Sequence, residues 1–184
     1  MKPTVQATRA KTPAHPTKAN RLAQEHAQIA EGGRRIQVRK SGVHGKGVFA
    51  LRPIARGETI IEYKGEVITW DEALDRHPHD PSDPDHTFYF HIDEQHVIDA
   101  KYGGNAARWI NHACDPNCEA DDDGQRVFIK ALRKITPGEE LFYDYGLIIE
   151  ERYTPALKKQ FACHCGSPKC RGTMLAPKRQ KLRG

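Results

Sequence analysis

Three short stretches carry residue types whose spacing could do chemistry. Gly104 to Asn117 reads GNAARWINHACDPN, with an arginine, a tryptophan, an Asn-His pair and a cysteine between a Gly-Asn and an Asp-Pro. CHCGSPKC sets Cys163, Cys165 and Cys170 in a CxCx4C array. Closely spaced thiolates of this kind chelate one soft cation, and a structural Zn2+ site asks for a fourth ligand. Cys114 is the most economical fourth, with Cys118 as the alternative. Either would tie the C-terminal segment back onto a much earlier part of the chain and close a pocket. ELFYDYG places Tyr143 and Tyr145 on one side of a strand and Asp144 on the other. Alternating aromatics are more often core than site, but two hydroxyls need partners if they are buried.

The elements that must hold these residues read mostly as strands. Gly-Asn starts a turn and Asp-Pro ends any helix, so the piece between is at most one or two helical turns, too short to stand without tertiary contacts. Ile36 and Val38 alternate with charged residues, and Gly47 to Leu51, Glu58 to Tyr63 and Gly65 to Thr69 continue the pattern, with a break at Lys64-Gly65. Thr69 and Glu72 have capping-box spacing, which predicts a short helix from Trp70 to about Asp75. HPHDPSDPDH, ending at His86, is loop, and its histidines lack the ordered spacing of a metal site. Thr87 to Ile92 and His96 to Ala100 form a hairpin around Asp93-Glu94. Arg126 to Leu132 and Glu140 to Tyr145 are strands on either side of a Pro137-Gly138 turn, and a last helix runs from about Leu147 to Lys159. The reading is a mainly β domain of many short strands with a few short helices.

A chain of 184 residues holds one domain with a core, plus tails. The first nineteen residues carry Pro3, Pro13 and Pro16 and little apolar bulk, so they read as disordered; a short helix from Asn20 to Glu31 precedes Gly32-Gly33, and the folded part starts near Arg35. No apolar run is long enough to cross a bilayer, and the N-terminus has no secretory apolar segment. A reducing compartment follows, in which the cysteines are thiols or metal ligands rather than disulfides. The net charge of +5 is concentrated at the ends, with Lys2, Arg9, Lys11, Lys18 and Arg21 at one and Lys178, Arg179, Lys181 and Arg183 at the other. Such ends are solvated tails suited at most to weak, salt-dependent contact with nucleic acid.

Taken in order, SGVHGKGVFA, EYKGE, GNAARWINHACDPN, ELFYDYG and CHCGSPKCRG resemble the SET-domain protein-lysine methyltransferases that carry a post-SET zinc segment. The resemblance runs from about Arg35 to Leu175. It implies a basic extension over 1–34, a SET domain over 35–148, a connecting helix and post-SET segment over 149–176, and a basic tail over 177–184. It implies small curved β-sheets with a pseudoknot, in which the Asn-His segment passes through a loop ending in DYG. It implies that S-adenosylmethionine is bound by His44, Gly45, Lys46 and Gly47, by Arg108, Trp109, Asn111 and His112, and by Tyr145 and His164. Tyr145 would be the catalytic tyrosine, with Tyr143 beside it. Tyr63, Phe88, Phe90, Tyr143 and Tyr145 would line the channel for the substrate lysine, and Cys114, Cys163, Cys165 and Cys170 would share one structural Zn2+, leaving Cys118 free. Trp109 stands where the family more often has phenylalanine, and Phe88 where many members have tyrosine, so one channel hydroxyl is absent.

The partner implied is a protein or peptide presenting a lysine, histone-like or otherwise basic, mono- or dimethylated inside the cell. The setting is chromatin in a nucleated cell and cytoplasm in a bacterium. The rival class is a zinc-stapled module that binds chromatin or nucleic acid without catalysis. Such a binder has no need of Asn111, His112 and Tyr145 together, and neither tail interleaves aromatics with its Lys and Arg, as a single-strand stacking surface would.

Overall fold

Ile36 and Val38 do alternate along a strand: β1 (Ile36–Lys40) pairs antiparallel with β2 (Lys46–Ala50) across a turn at 41–45. The computed structural model describes residues 34–76, 88–123, 126–149 and 151–178. The helix expected within the first 33 residues, the loop at 77–86 and the end of the basic tail therefore lie outside the described residues.

Two three-stranded antiparallel sheets form the body. In one, β9 (Val127–Ala131) lies between β3 (Thr59–Tyr63) and β8 (Cys118–Asp122). In the other, β6 (His96–Asp99) lies between β4 (Glu66–Thr69) and β5 (Tyr89–His91). Helix α1 (Trp70–Arg76) follows β4 directly, and Thr69 Oγ1 accepts from Glu72 N at 3.2 Å, as the capping-box spacing predicts. A 3-10 turn, η1 (Ala106–Trp109), leads into β7 (Asn111–His112), which pairs in parallel with β10 (Phe142–Tyr143). No hairpin can make a parallel pair, so this contact joins distant parts of the chain and is the pairing on which the expected knot depends. Val48, Ile54, Ile110, Ile129, Ile135 and Leu141 are fully buried between these layers, which removes a large apolar area from water.

Three expectations change. Strand β8, reading CEADD, was not expected, because it lacks apolar alternation; β9 supplies its hydrogen bonds. The strand expected over Glu140 to Tyr145 is only Phe142–Tyr143, since a two-residue partner limits it. The helix expected from Leu147 to Lys159 shrinks to α2 (Pro155–Gln160). Thr154 caps it by accepting from Leu157 N at 3.2 Å, Pro155 takes the first turn, and no residue of α2 is buried, so nothing apolar extends it backwards. Among the described residues no helix is long and apolar enough to cross a membrane.

Candidate active site

Asn111 ties three segments together. Its Nδ2 lies 3.2 Å from the His44 carbonyl, 2.9 Å from that of Lys46 and 3.0 Å from Glu140 Oε1. The turn His44 to Gly47 is thereby held against β7, with Gly45 at φ +47°. A Cβ at Gly47 would sit 2.0 Å from the Glu140 carboxylate that Asn111 holds, so a larger residue there would displace that carboxylate. Asn105 caps η1 by accepting from Ala107 N at 3.1 Å and donates to the Glu62 carbonyl at 2.7 Å. Lys46 Nζ stands 4.4 Å and the Arg108 guanidinium 5.0 Å from the centre of the Trp109 ring. Arg108 Nη1 donates to the Ala100 carbonyl at 3.0 Å, whereas its Nε is buried with no partner among the described residues.

The aromatic residues singled out in the sequence converge. The Tyr143 and Tyr145 rings are 4.9 Å apart, Phe90 lies 6.3 Å from Tyr143 and 5.2 Å from Tyr63, and Phe88 meets Trp109 edge-on at 5.0 Å. Tyr145 donates its hydroxyl to the Ile110 carbonyl at 2.9 Å, and Tyr63 donates to the Phe88 carbonyl at 3.2 Å. Burial, and after it the neighbouring phenols, raises the pKa of Tyr63 and Tyr143. Burial raises that of Tyr145 too. All three stay neutral at physiological pH.

Behind the rings, the sulfurs of Cys114, Cys163, Cys165 and Cys170 all lie within 4.8 Å of one another. Cys114 is 3.6 Å from Cys163 and 4.0 Å from Cys170, close to the spacing of about 3.8 Å that tetrahedral Zn–S bonds require. Cys170 Sγ also accepts the backbone N–H of Gly172 at 3.3 Å. Such a bond favours the thiolate. At Cys165 burial is outweighed by the surrounding backbone N–H groups and the neighbouring Cys163 and Cys170 thiols, which bring the pKa down to about 7, while burial raises Cys114 and Cys163. The donor set fits Zn2+. Cys118, the alternative fourth ligand, is instead fully buried in the core, where burial pushes its pKa up to about 12.

His112 sits between rings and sulfurs, and burial lowers its pKa against the pull of Asp144. Asp144 is gripped by both Nη atoms of Arg171, at 2.6 and 2.9 Å; the pair offsets the carboxylate's burial and holds its pKa below the ordinary range. His164 is exposed between two of the cysteines. Sequence reasoning did not single out Glu140 or Arg171. Each acts through a contact to a remote segment, and for Arg171 the only local signal was its place beside Cys170.

A sequence profile of the SET domain matches residues 45–146. The chain is 37% identical over 153 residues to "Histone-lysine N-methyltransferase set1" of Dictyostelium discoideum, covering 80% of this chain and 10% of that protein. It is 40% identical over 140 residues to "Histone-lysine N-methyltransferase trithorax" of Drosophila melanogaster, covering 74% and 4%. Over 150 residues it is 40% identical to "Histone-lysine N-methyltransferase, H3 lysine-4 specific" of Kluyveromyces lactis, covering 79% and 15%. Among solved structures, "ctPRC2 in an autoinhibited conformation bound to S-adenosylmethionine" superposes with a TM-score of 0.57 at 34% identity, over 62% of this chain and 15% of that one. The chain thus spans a small part of each relative's length, and over that part it belongs to the SET-domain family.

Proposed function

We propose that this chain is an S-adenosylmethionine-dependent protein-lysine N-methyltransferase. The observation that carries the reading is the Tyr145 hydroxyl, fixed on the Ile110 carbonyl at 2.9 Å amid the rings of Tyr143, Phe90 and Tyr63. The names of the SET relatives support it.

The residues present fit the cofactor. Arg108 Nε is a buried donor without a partner, suited to an anionic group, and Lys46 adds positive charge beside it. His44, Gly45, Lys46, Gly47, Arg108, Trp109, Asn111, His112, Tyr145 and His164 would hold it. When bound, S-adenosylmethionine supplies a methyl group on a sulfonium, which a neutral amine takes directly.

A channel walled by Tyr63, Phe88, Phe90, Tyr143 and Tyr145 would strip water from a lysine ammonium, whose pKa in water is about 10.4, and that lost hydration disfavours the charged form. All three phenols are held protonated by burial, so none is a base, and the lysine proton leaves to water before attack. With its hydrogen committed to Ile110, the Tyr145 oxygen turns lone pairs elsewhere. It can accept C–H contacts worth about 0.5–1 kcal/mol each, which orient the methyl. Positioning rather than acid-base work is the source of acceleration. Zn2+ on Cys114, Cys163, Cys165 and Cys170 has no step in this chemistry; it would hold the C-terminal segment over the site.

The substrate we propose is a lysine in a basic protein such as a histone tail, carried to one or two methyl groups, with chromatin as the place of action in a nucleated cell. The basic tails would add weak nucleic-acid contact. Calorimetric titration with S-adenosylmethionine, followed by peptide arrays with labelled cofactor, tests the reading. Tight cofactor binding and label on lysine are expected, whereas a noncatalytic zinc module shows neither.

A further inference from the structure

The two nitrogens of the His112 imidazole, a side chain only 3% exposed, face different parts of the site. Nδ1 lies 3.1 Å from the backbone nitrogen of Tyr145, and Nε2 lies 3.4 Å from Sγ of Cys114. A backbone N–H can only donate, so Nδ1 presents a lone pair and the ring proton sits on Nε2, pointing at the sulfur. Asp144 Oδ1 is 3.5 Å from Nδ1, and its carboxylate is taken up by Arg171 and by Gly146 N at 3.1 Å. It therefore does not draw the ring into the other tautomer. The same imidazole meets the Tyr145 ring at 5.3 Å and 62°. Tyr145 is held at both ends by one segment, its hydroxyl by Ile110 and its backbone by His112. That segment is anchored in turn at Cys114.

We propose that His112 is a positioning residue that links the backbone of Tyr145 to the sulfur of Cys114, so that the metal centre sets where the catalytic hydroxyl stands. The proposal rests on the zinc and methyltransferase readings above. With the metal bound, Cys114 is fixed by its Zn–S bond; without it, the sulfur can swing and take the imidazole along. Misplacement of a reacting group by about 1 Å is enough to cost on the order of a hundredfold in rate.

The test uses the full chain loaded with Co2+, whose thiolate charge-transfer band reports hydrogen bonding to the sulfurs. Asparagine at 112 offers an acceptor where Nδ1 stood and no donor at Nε2. Glutamine offers a donor near Nε2 and no acceptor for Tyr145. His112→Asn is expected to move the band to longer wavelength while the four-sulfur pattern persists. His112→Gln is expected to leave the band in place and lower kcat at saturating S-adenosylmethionine by about tenfold or more. An unmoved band in His112→Asn, or an undiminished kcat in His112→Gln, overturns the proposal. Should either variant misfold, nitrogen NMR of the isotope-labelled wild-type zinc protein decides: a proton on Nε2 with a bare Nδ1 is expected, and a proton on Nδ1 overturns it. A wild-type chain that binds no metal on its cysteines overturns the zinc reading instead, and metal content shows this first. A chain that methylates no peptide overturns the function, while the cobalt and NMR results still stand.

Discussion

Among single residues, Tyr145 and Tyr143 are close neighbours with different hydrogen bonding. The Tyr145 hydroxyl is bonded to Ile110, whereas that of Tyr143 makes no hydrogen bond to the described residues and the residue is 7% exposed. Tyr145→Phe keeps the ring and its packing, so the fold should survive while single-turnover rate falls about a hundredfold, the cost of losing one oriented group. Far-UV dichroism checks the first and quenched-flow methylation the second. Tyr143→Phe removes the hydroxyl that can hold a water where a further methyl would go. Displacing such a hydrogen-bonded group costs about 1–3 kcal/mol, so the variant should shift product toward higher methylation, read by mass spectrometry. Phe88, with no hydroxyl, already leaves some of that space. The buried phenols also set the pH profile. Their pKa values are raised, so they remain neutral below about 10 and contribute no inflection, and kcat/KM should climb with pH as the lysine itself loses its proton. An earlier plateau that disappears in Tyr145→Phe would contradict this.

The elements divide into those legible in the sequence and those decided by their partners. The Thr69 cap of α1 and the hairpin of β5 and β6 were readable because their signals are local. Strand β8 was not, because an acidic run becomes a strand only beside β9; nor was the shortness of β10, which β7 alone limits. The true start of α2 was legible in Thr154-Pro155, a cap followed by a proline, and the longer reading overlooked it. At the site, Cys163, Cys165 and Cys170 stood out by type and spacing, whereas the choice of Cys114 over Cys118 and the roles of the tyrosines came only with the family resemblance. The partnerships of Glu140 with Asn111 and Arg171 with Asp144 did not stand out, since each links segments far apart in the chain. The elements also separate two cysteine substitutions. Cys118→Ser buries a hydroxyl in the core at the start of β8 and should cost about 1–2 kcal/mol in urea denaturation with metal content unchanged. Cys163→Ser should lose the metal and the activity together.

For the whole molecule, the sheets and the cysteine-bearing C-terminal segment are stabilised by different means. The body rests on a broad apolar core, while α2 has no buried residue and the segment after it is held by the clustered cysteines, the Arg171–Asp144 pair and Leu175, which is buried and bridged to Leu147. Chelation of zinc should therefore leave the far-UV β signal nearly intact and lower Tm by about 5 °C or more. Trypsin should then cut first at Arg152, Lys158 or Lys159, and methylation should be lost before the body unfolds. Coincident loss of the β signal and the C-terminal segment would show that the two are one cooperative unit.

The order of the segments along the chain has a consequence for how the protein comes into being. Synthesis begins at the N-terminus, so Asn111, His112 and Tyr145 emerge before Cys163, Cys165 and Cys170. A nascent chain can build the sheets and still lack the cysteine-bearing segment proposed to hold over the reacting groups. Completion waits for the last cysteine to leave the ribosome and for a metal ion to be found in the cell. A cell starved of zinc would hold this chain as an unfinished, protease-sensitive body, and one cut between Tyr145 and Cys163 would be an off switch that refolding cannot reverse.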